Sequence, residues 1–238
     1  TVQGSLGDCY LVSSLSSCMN NPTARAQLYK SFSLNGNDVT VTIKGYEDFN
    51  GSHTFPNGEV PKTQRQLIGC KGLQMIERTY AKTALRPQTV DFLPSLEVTT
   101  NSLMQRIQGG YAPQALSELL GFQNLGFSSR IPVGGLPKDS SIGISVNKNQ
   151  ARIENLLNNY SNNKDYLLNF GTIPAQRAES NLLKEYNLVS NHAYSIIGYD
   201  PVTKKVKIAN PHSYSAVTEV PIDILSKYVS HVDITRLR

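Results

Sequence analysis

The chain has 238 residues, of which 39% are hydrophobic and 17% charged, a balance that supports a buried core and excludes a disordered tail protein. Its net charge of +5 is spread along the chain, and no basic run is longer than Lys204-Lys205, which argues against a dedicated nucleic-acid-binding role. The three cysteines, Cys9, Cys18 and Cys70, are too few for a disulfide scaffold.

Signals for metal binding, membrane insertion and secretion are absent from the sequence. Neither CxxC nor HExxH spacing occurs, so no metal site is predicted. No apolar run is long enough for a membrane span and no signal peptide is visible, which leaves both an intracellular and a secreted location open. Because the sequence passes from Thr1 straight into a structured motif, we expect one domain of a longer protein with flanking domains.

The first half of the chain is mostly helical in its pattern. Four segments have the helical spacing of apolar residues: 9–19, 23–33, 64–84 and 112–120. The Asp8 carboxylate is predicted to cap the first helix, and Gly121 to end the last. Alternation predicts one strand at 38–44, whereas residues 45–61 are predicted to be loop and residues 86–103 to be irregular.

The second half of the chain is richer in short β patterns. Strands are predicted at 166–170, 193–199, 205–209 and 231–237. Asp200-Pro201, between the second and third of them, predicts a hairpin turn. Helices are predicted at 149–161 and 222–228, and the Gly- and Pro-rich residues 124–150 are predicted to be mainly turns. The change of pattern near residue 125 indicates an α+β protein.

Cys9 stands where a nucleophilic thiol is expected. Only the thiolate attacks a carbonyl, so such a cysteine needs a lowered pKa, a proton acceptor within reach and donors for the oxyanion. The predicted helix begins at Cys9, and the positive end of a helix dipole favours an anion there. The side-chain amide of Gln3, six residues earlier, can donate to the oxyanion together with the Cys9 backbone N–H.

The proton acceptor is sought among four histidines. His53 lies in a Gly- and Asn-rich loop and is interpreted as exposed, whereas His231 opens the last strand with no evident partner. His192 begins one strand of the predicted hairpin and Asn210 ends the other, so the hairpin brings the two together at one end. An Asn side chain beside a histidine holds one tautomer and one orientation, as a catalytic base requires.

The stretch QGSLGDCYLVSSL resembles the nucleophile signature of the calpains, the C2 family of papain-like cysteine proteases, which reads Q-G-x-L-G-D-C-W-L. Further blocks are similar to calpain segments in the same order: GLQMIERTYAKT, GGYAPQALSELLGF, NLVSNHAYSIIGYD, VKIANPH and ILSKYVSHVDITRL. Together these blocks span nearly the whole chain, and residues 125–165 are the least similar part.

The resemblance implies a papain-like bilobed fold with a cleft between a helical subdomain, residues 1–125, and a β-rich subdomain, residues 126–238. It implies the following roles: Cys9 as nucleophile, His192 as general base and then acid, Asn210 as the residue that orients His192, and Gln3 as oxyanion donor. The implied activity is a cysteine endopeptidase that cleaves protein or peptide substrates through an acyl-enzyme, with no nucleic acid or membrane partner.

The chain departs from the calpain pattern at several positions. Tyr10 and His212 stand where the family has Trp, and Asn191 replaces the Gly before the catalytic His. Gln114 occupies the place of a family Glu, and the stretch after Asn210-Pro-His lacks an early acid. Calcium prefers several carboxylates, so we expect weak calcium dependence or none, and no required cofactor.

Alternatives remain open for the activity and for several residues. The same triad serves deamidation or transglutamination of a partner protein, and an inactive calpain-like binding module is a further alternative. Gly109 and Gly110 either shape the cleft and bind substrate backbone or form a plain turn. Cys18 and Cys70 are interpreted as packed thiols, and Asp8 as a helix cap rather than a catalytic acid.

Overall fold

The structure is a computed structural model that describes residues 2–62, 67–83, 104, 107–173, 185–212 and 217–237. Within these ranges the chain forms six α-helices and ten β-strands in two sheets, which confirms the α+β class. The segment 86–103, predicted to be irregular, lies outside the described residues. None of the helices in the described ranges is both long and apolar enough to cross a membrane.

The helices fall close to the segments predicted from apolar spacing. They are α1 (Cys9–Asn20), α2 (Pro22–Tyr29), α3 (Lys71–Thr83), α4 (Ala112–Leu120), α5 (Gln150–Tyr160) and α6 (Ile222–Tyr228). Gly121 ends α4 in the left-handed conformation, with φ of 72°, as its position predicted. The prediction of a helix from residue 64 was too long, because Ile68 instead forms a backbone bridge with Val2.

The first sheet has three antiparallel strands, β1 (Phe32–Asn35), β2 (Asp38–Thr42) and β3 (Ser52–Phe55). The prediction of loop over residues 45–61 was therefore wrong at β3, where Thr54 and Phe55 pair with β2. The predicted second helix was also too long, since the chain is already extended at β1.

The second sheet has seven strands. They are β4 (Gln123–Ser128), β5 (Ser140–Ser145), β6 (Tyr166–Thr172), β7 (Ala193–Asp200), β8 (Lys205–Ala209), β9 (Val217–Pro221) and β10 (Val229–Arg236). Their order is β4-β5-β10-β6-β7-β8-β9, and every neighbouring pair is antiparallel except β4 and β5. The prediction of turns over 124–150 was wrong at β4 and β5 but holds for residues 129–139 between them, and β4 crosses the expected boundary at residue 125.

Helix α1 joins the two apolar clusters of the core. One cluster is built mainly from residues 6–120, and the other lies on the large sheet with α5 and α6. Ser195 of β7 donates its hydroxyl to the Ser13 carbonyl at 2.9 Å, and the Ser17 hydroxyl donates to Asn169 of β6 at 3.0 Å. These bonds fix the helix across the middle of the sheet and so fix the position of Cys9, its first residue.

The other two thiols lie in different environments. Cys18 is fully buried on α1, as predicted. Cys70 is exposed, so the interpretation of this residue as a packed thiol was wrong. It lies in the extended segment before α3, whose apolar face starts only at Leu73.

Candidate active site

Cys9 opens α1 and is partly buried, directly after an acid that lies in the interior. Asp8 occupies the N-cap position, but its carboxylate makes no capping hydrogen bond, so the prediction of a side-chain cap was wrong. Only its backbone carbonyl accepts from the first turn, from the N–H groups of Leu11 and Val12. The carboxylate is fully buried and interacts with Glu77 of α3, which explains why it is unavailable to the helix end.

His192 and Asn210 flank the open end of the β7–β8 hairpin. The strands are paired in antiparallel register from Ser195–Ala209 to Asp200–Lys205, which leaves His192 and Asn210 next to each other at the end away from the turn. Both side chains are buried. The Asn210 amide is itself fixed, since Nδ2 donates to the Asn187 carbonyl at 3.0 Å and Oδ1 accepts from the His212 backbone N–H at 2.9 Å.

Asn191 has the backbone conformation that usually favours glycine. Its φ is 51°, in the left-handed region, where Asn is the residue other than Gly that is best tolerated. On either side, the Asn191 N–H donates to the Ile173 carbonyl and the His192 N–H donates to the Thr172 hydroxyl at 2.9 Å. Asn191 therefore forms a left-handed turn directly before His192, whose side chain is buried.

His212 lies against His192. The centroids of the two rings are 4.4 Å apart with an interplanar angle of 51°, and the Tyr194 ring meets His192 edge-on at 4.9 Å. His212 is exposed on its outer side. Its ring thus covers part of His192 at the wall of the cleft.

A cleft of about 940 Å³ collects most of the predicted site residues. Its lining includes Gln3, Cys9 and His192, together with Gly109 and Gly110. Asn210 lies behind His192 and is not part of the lining. The cleft therefore brings together residues that are far apart in the sequence, from both ends of the chain.

Gln3 and Gly109 are held in the cleft wall by hydrogen bonds within the protein. The Gln3 side-chain Nε2 donates to the Leu6 carbonyl, and its backbone N–H donates to the Pro211 carbonyl at 2.8 Å. Gly109 has a φ of 73°, and its N–H donates to the Gly7 carbonyl at 2.8 Å. This turn is also part of the cleft wall, but the Gly109 N–H is already bonded within the protein.

The electrostatics of the site keep both reacting groups neutral at rest. Burial raises the pKa of the Cys9 thiol, the Asp8 charge adds to this, and backbone N–H groups, above all that of Ala193, oppose it without reversing the shift. Burial lowers the pKa of His192 to about 4, helped by His212 and opposed by the neighbouring Asn210 amide, although His192 Nε2 itself makes no hydrogen bond within the described residues. The lowered thiol pKa expected at a helix N-terminus is therefore not found, and the resting pair is a thiol and a neutral imidazole.

Two buried carboxyl groups were missed by sequence reasoning. Glu77 is 1% exposed. Its burial could have been inferred from the sequence, because it falls on the apolar face of α3, between Leu73 and Tyr80 at helical spacing. Asp233 is also 1% exposed and lies 3.6 Å from His231 Nε2. The statement that His231 has no evident partner was therefore wrong, and Asp233, two residues along the same strand, was the signal for it.

The acidic residues near the expected calcium positions do not fit a calcium site. Gln114 donates its amide to Glu118 at 2.9 Å, and the Tyr80 hydroxyl donates to the same carboxylate. Glu219 forms ion pairs with Lys205 and Lys207 on β8. Across the described part of the chain, no three His, Cys, Asp or Glu side chains converge as metal ligands, and residues 213–216 lie outside it.

In comparisons with known proteins, no protein family matches this chain and no curated protein matches it either.

Proposed function

We propose that this protein is a cysteine endopeptidase of the papain-like, bilobed type, related to the calpains. The observation that carries the proposal is the meeting of Gln3, Cys9 and His192 in one cleft, with Asn210 buried behind His192. Nucleophile, base, base-orienting amide and oxyanion donor are the set of groups that acyl transfer from a peptide requires. The cleft volume of about 940 Å³ lies near the upper end of the usual range for ligand sites, which suits a peptide substrate.

The proposed reaction begins with a neutral pair. As the Cys9 sulfur attacks the peptide carbonyl carbon, His192 takes the thiol proton, so that the thiolate forms during the attack rather than before it. The Cys9 backbone N–H and the Gln3 amide donate to the oxyanion. His192 then gives its proton to the leaving amine, and a water molecule, activated by His192, hydrolyses the acyl-enzyme and returns the free thiol.

The test compares the protein with its Cys9→Ala variant on casein, each with calcium and with a chelator. Loss of all cleavage in Cys9→Ala supports the proposal, and equal cleavage in both proteins contradicts it. Cys70→Ser is the matched control, since this exposed thiol lies outside the cleft lining and its loss should leave cleavage unchanged. A thiol-directed epoxide should modify Cys9 in the folded protein, and failure to do so also contradicts the proposal.

A second candidate, an inactive binding module with the same cleft, is favoured by one observation. The raised Cys9 pKa and the lowered His192 pKa disfavour the thiolate–imidazolium pair on which thiol proteases usually depend. In this case both proteins in the casein test would be inert, while peptides would still bind to the cleft.

Mass spectrometry of the treated proteins distinguishes cleavage, seen as new termini, from deamidation or cross-linking, seen as mass shifts without new termini.

A further inference from the structure

Two carboxyl groups, those of Asp8 and Glu77, lie next to each other in the interior at the start of α1. Asp8 is 0% exposed and Glu77 of α3 is 1% exposed, and the two carboxyl groups lie close enough to shift each other's pKa. An ionised carboxylate is strongly disfavoured in the interior unless it is neutralised or fully hydrogen-bonded. Two of them in contact also repel each other, so at least one should carry a proton.

The hydrogen bonds around the pair indicate where that proton lies. Both Glu77 oxygens accept from the Leu67 backbone N–H, at 3.0 and 2.9 Å. Within the described residues, neither Asp8 oxygen receives an N–H or O–H donor in regular geometry, although the Gln3 amide approaches it. A proton on Glu77 would supply the missing donor, because a neutral carboxyl group can donate to its neighbour.

The pair also connects the segments that carry the site. Asp8 precedes Cys9 and contacts Gln3, while Glu77 holds Leu67. The residue after Leu67, Ile68, exchanges two backbone hydrogen bonds with Val2, at 2.9 and 2.8 Å, next to Gln3. The contact between two side chains thus links the start of α1, the segment with the oxyanion donor, and α3.

We propose that Asp8 and Glu77 share one proton and act as positioning residues for Cys9 and Gln3. The catalytic meaning of this positioning depends on the proposed peptidase function, whereas the shared proton itself does not. With the proton in place the pair carries one negative charge and holds the three segments together. When it leaves, two buried charges repel each other beside Cys9, and the contact between α1 and α3 is lost.

The titration behaviour is consistent with this geometry. Burial raises the pKa of both carboxyl groups, and the Asp8 charge raises that of Glu77 further, so Glu77 is the group that keeps the proton. Across the described residues, the groups that act on the pair are each other, the Gln3 amide and backbone N–H groups, and the Cys9 thiol faces Asp8. The basic side chains of α3, Arg78 and Lys82, act on His53 instead.

The test measures the reactivity of Cys9 with iodoacetamide from pH 5 to pH 10, in a Cys70→Ser background, with the modified residue identified by mass spectrometry. Glu77→Gln keeps the shape and a donor towards Asp8 but has no proton to lose, whereas Glu77→Ala removes both. We expect Glu77→Ala to lower the alkylation rate at pH 7 by about tenfold through misplacement, and Glu77→Gln to restore it. Above pH 8, the parent should fall below Glu77→Gln, because only the parent acquires the second charge.

Asp8→Asn sharpens the test, since it removes the charge that faces the thiol. It should lower the pKa of Cys9 and raise the alkylation rate at pH 7 severalfold. Identical pH profiles for the parent and Glu77→Gln, both shown to be folded by near-UV circular dichroism, would overturn the shared proton. If Asp8→Asn does not fold, the two Glu77 variants still decide the question.

Alkylation does not require peptidase activity, so the two proposals can fail separately. Different profiles in a protein that cleaves nothing would leave the carboxyl pair standing and remove the peptidase. Coinciding profiles in an active peptidase would do the reverse. Peptidase kcat and KM for the Glu77 variants give a second readout, in which misplacement of Cys9 and Gln3 lowers kcat more than it raises KM.

Discussion

Two histidines of the large sheet have opposite pKa shifts. Burial lowers the pKa of His192, next to Asn210 and His212. Burial also lowers the pKa of His231, but the negative charge of Asp233, 3.6 Å from Nε2, more than offsets this, so the net shift is upwards. The Ser230 hydroxyl completes this second cluster, 2.7 Å from His231 Nδ1.

The difference lies in the charge of the residue that holds the ring. The neighbour of His192 is a neutral amide, which leaves the imidazole uncharged and able to accept a proton at neutral pH, as the proposed base must. A carboxylate at His231 favours the imidazolium, which suits a structural ion pair and not a resting base. The comparison therefore attributes the opposite pKa shifts of the two histidines to the charge of the neighbouring side chain. Each of the following changes tests one of the two histidine sites.

The largest effect is expected for removal of the proposed base. His192→Ala should lower casein cleavage by about 10²–10⁴-fold, the usual contribution of a general base. His231→Ala should have a much smaller effect on cleavage, since its ring lies outside the cleft lining. Initial rates of both variants against the parent check this, and comparable losses would contradict the distinction between the two histidines.

The second effect concerns the space for the His231 ring. Gly171 of β6 lies opposite His231, and a Cβ at this position would be 2.2 Å from the ring atom Cε1. Gly171→Ala should therefore reduce the free energy of unfolding by about 1–3 kcal/mol, as measured by urea denaturation. Gly198→Ala in β7 is the matched control, because its Cβ would have no neighbour nearer than 3.8 Å. Equal stabilities of the two variants would count against the crowding.

Exchanging the neutral and the charged side chain beside each histidine should reverse the direction in which the pKa of that histidine is shifted. Asn210→Asp should raise the pKa of His192 by about one unit or more, and Asp233→Asn should lower that of His231, both followed by NMR titration of the rings. The raised pKa of His231 means that its contribution to stability is present below the unfolded pKa of about 6.5 and is lost as the pH rises through the folded value. Unfolding of Asp233→Asn should lack this loss, and an unchanged pH dependence would refute the assignment.

The smallest effect is expected at His212. Its ring lowers the pKa of His192 by burial and by charge, so His212→Ala should raise that pKa by less than about one unit. His212→Trp should remove the charge and keep the cover, which separates the two causes. The NMR titration used for Asn210→Asp measures both variants, and a lowered pKa in His212→Ala would be the wrong sign.

Much of the fold followed from local pattern. The β7–β8 hairpin was predicted because its strands alternate and Asp200-Pro201 separates them, and α4 because its apolar spacing ends at a glycine. Strand β4 was missed, since most of its residues are exposed and polar and it has little alternation to detect. Strands β3 and β9 were missed for a similar reason, because each is short and pairs on one side only.

The candidate site was predictable in its members and less so in its electrostatics. Sequence order and the hairpin sufficed to associate His192 with Asn210, and the helix pattern sufficed to place Cys9 at an N-terminus. The interior position of Asp8 was not predictable from its capping pattern, because the alternative partner, Glu77, lies on another helix. The raised pKa of the Cys9 thiol follows mainly from the burial of Cys9 itself and then from the Asp8 charge, and burial is a property of tertiary packing rather than of local sequence.

The backbone bond from Gln3 to Pro211 ties the beginning of the described chain to a segment near its end. During synthesis from the ribosome, Cys9 therefore emerges long before His192 and Asn210 exist. Closing so long a loop costs conformational entropy, which the contacts of the two apolar clusters offset in the folded protein. In the proposed peptidase, the thiol and its base would thus be kept apart in time as well as in sequence, and a nascent chain would have no assisted nucleophile before residues 192–210 are made.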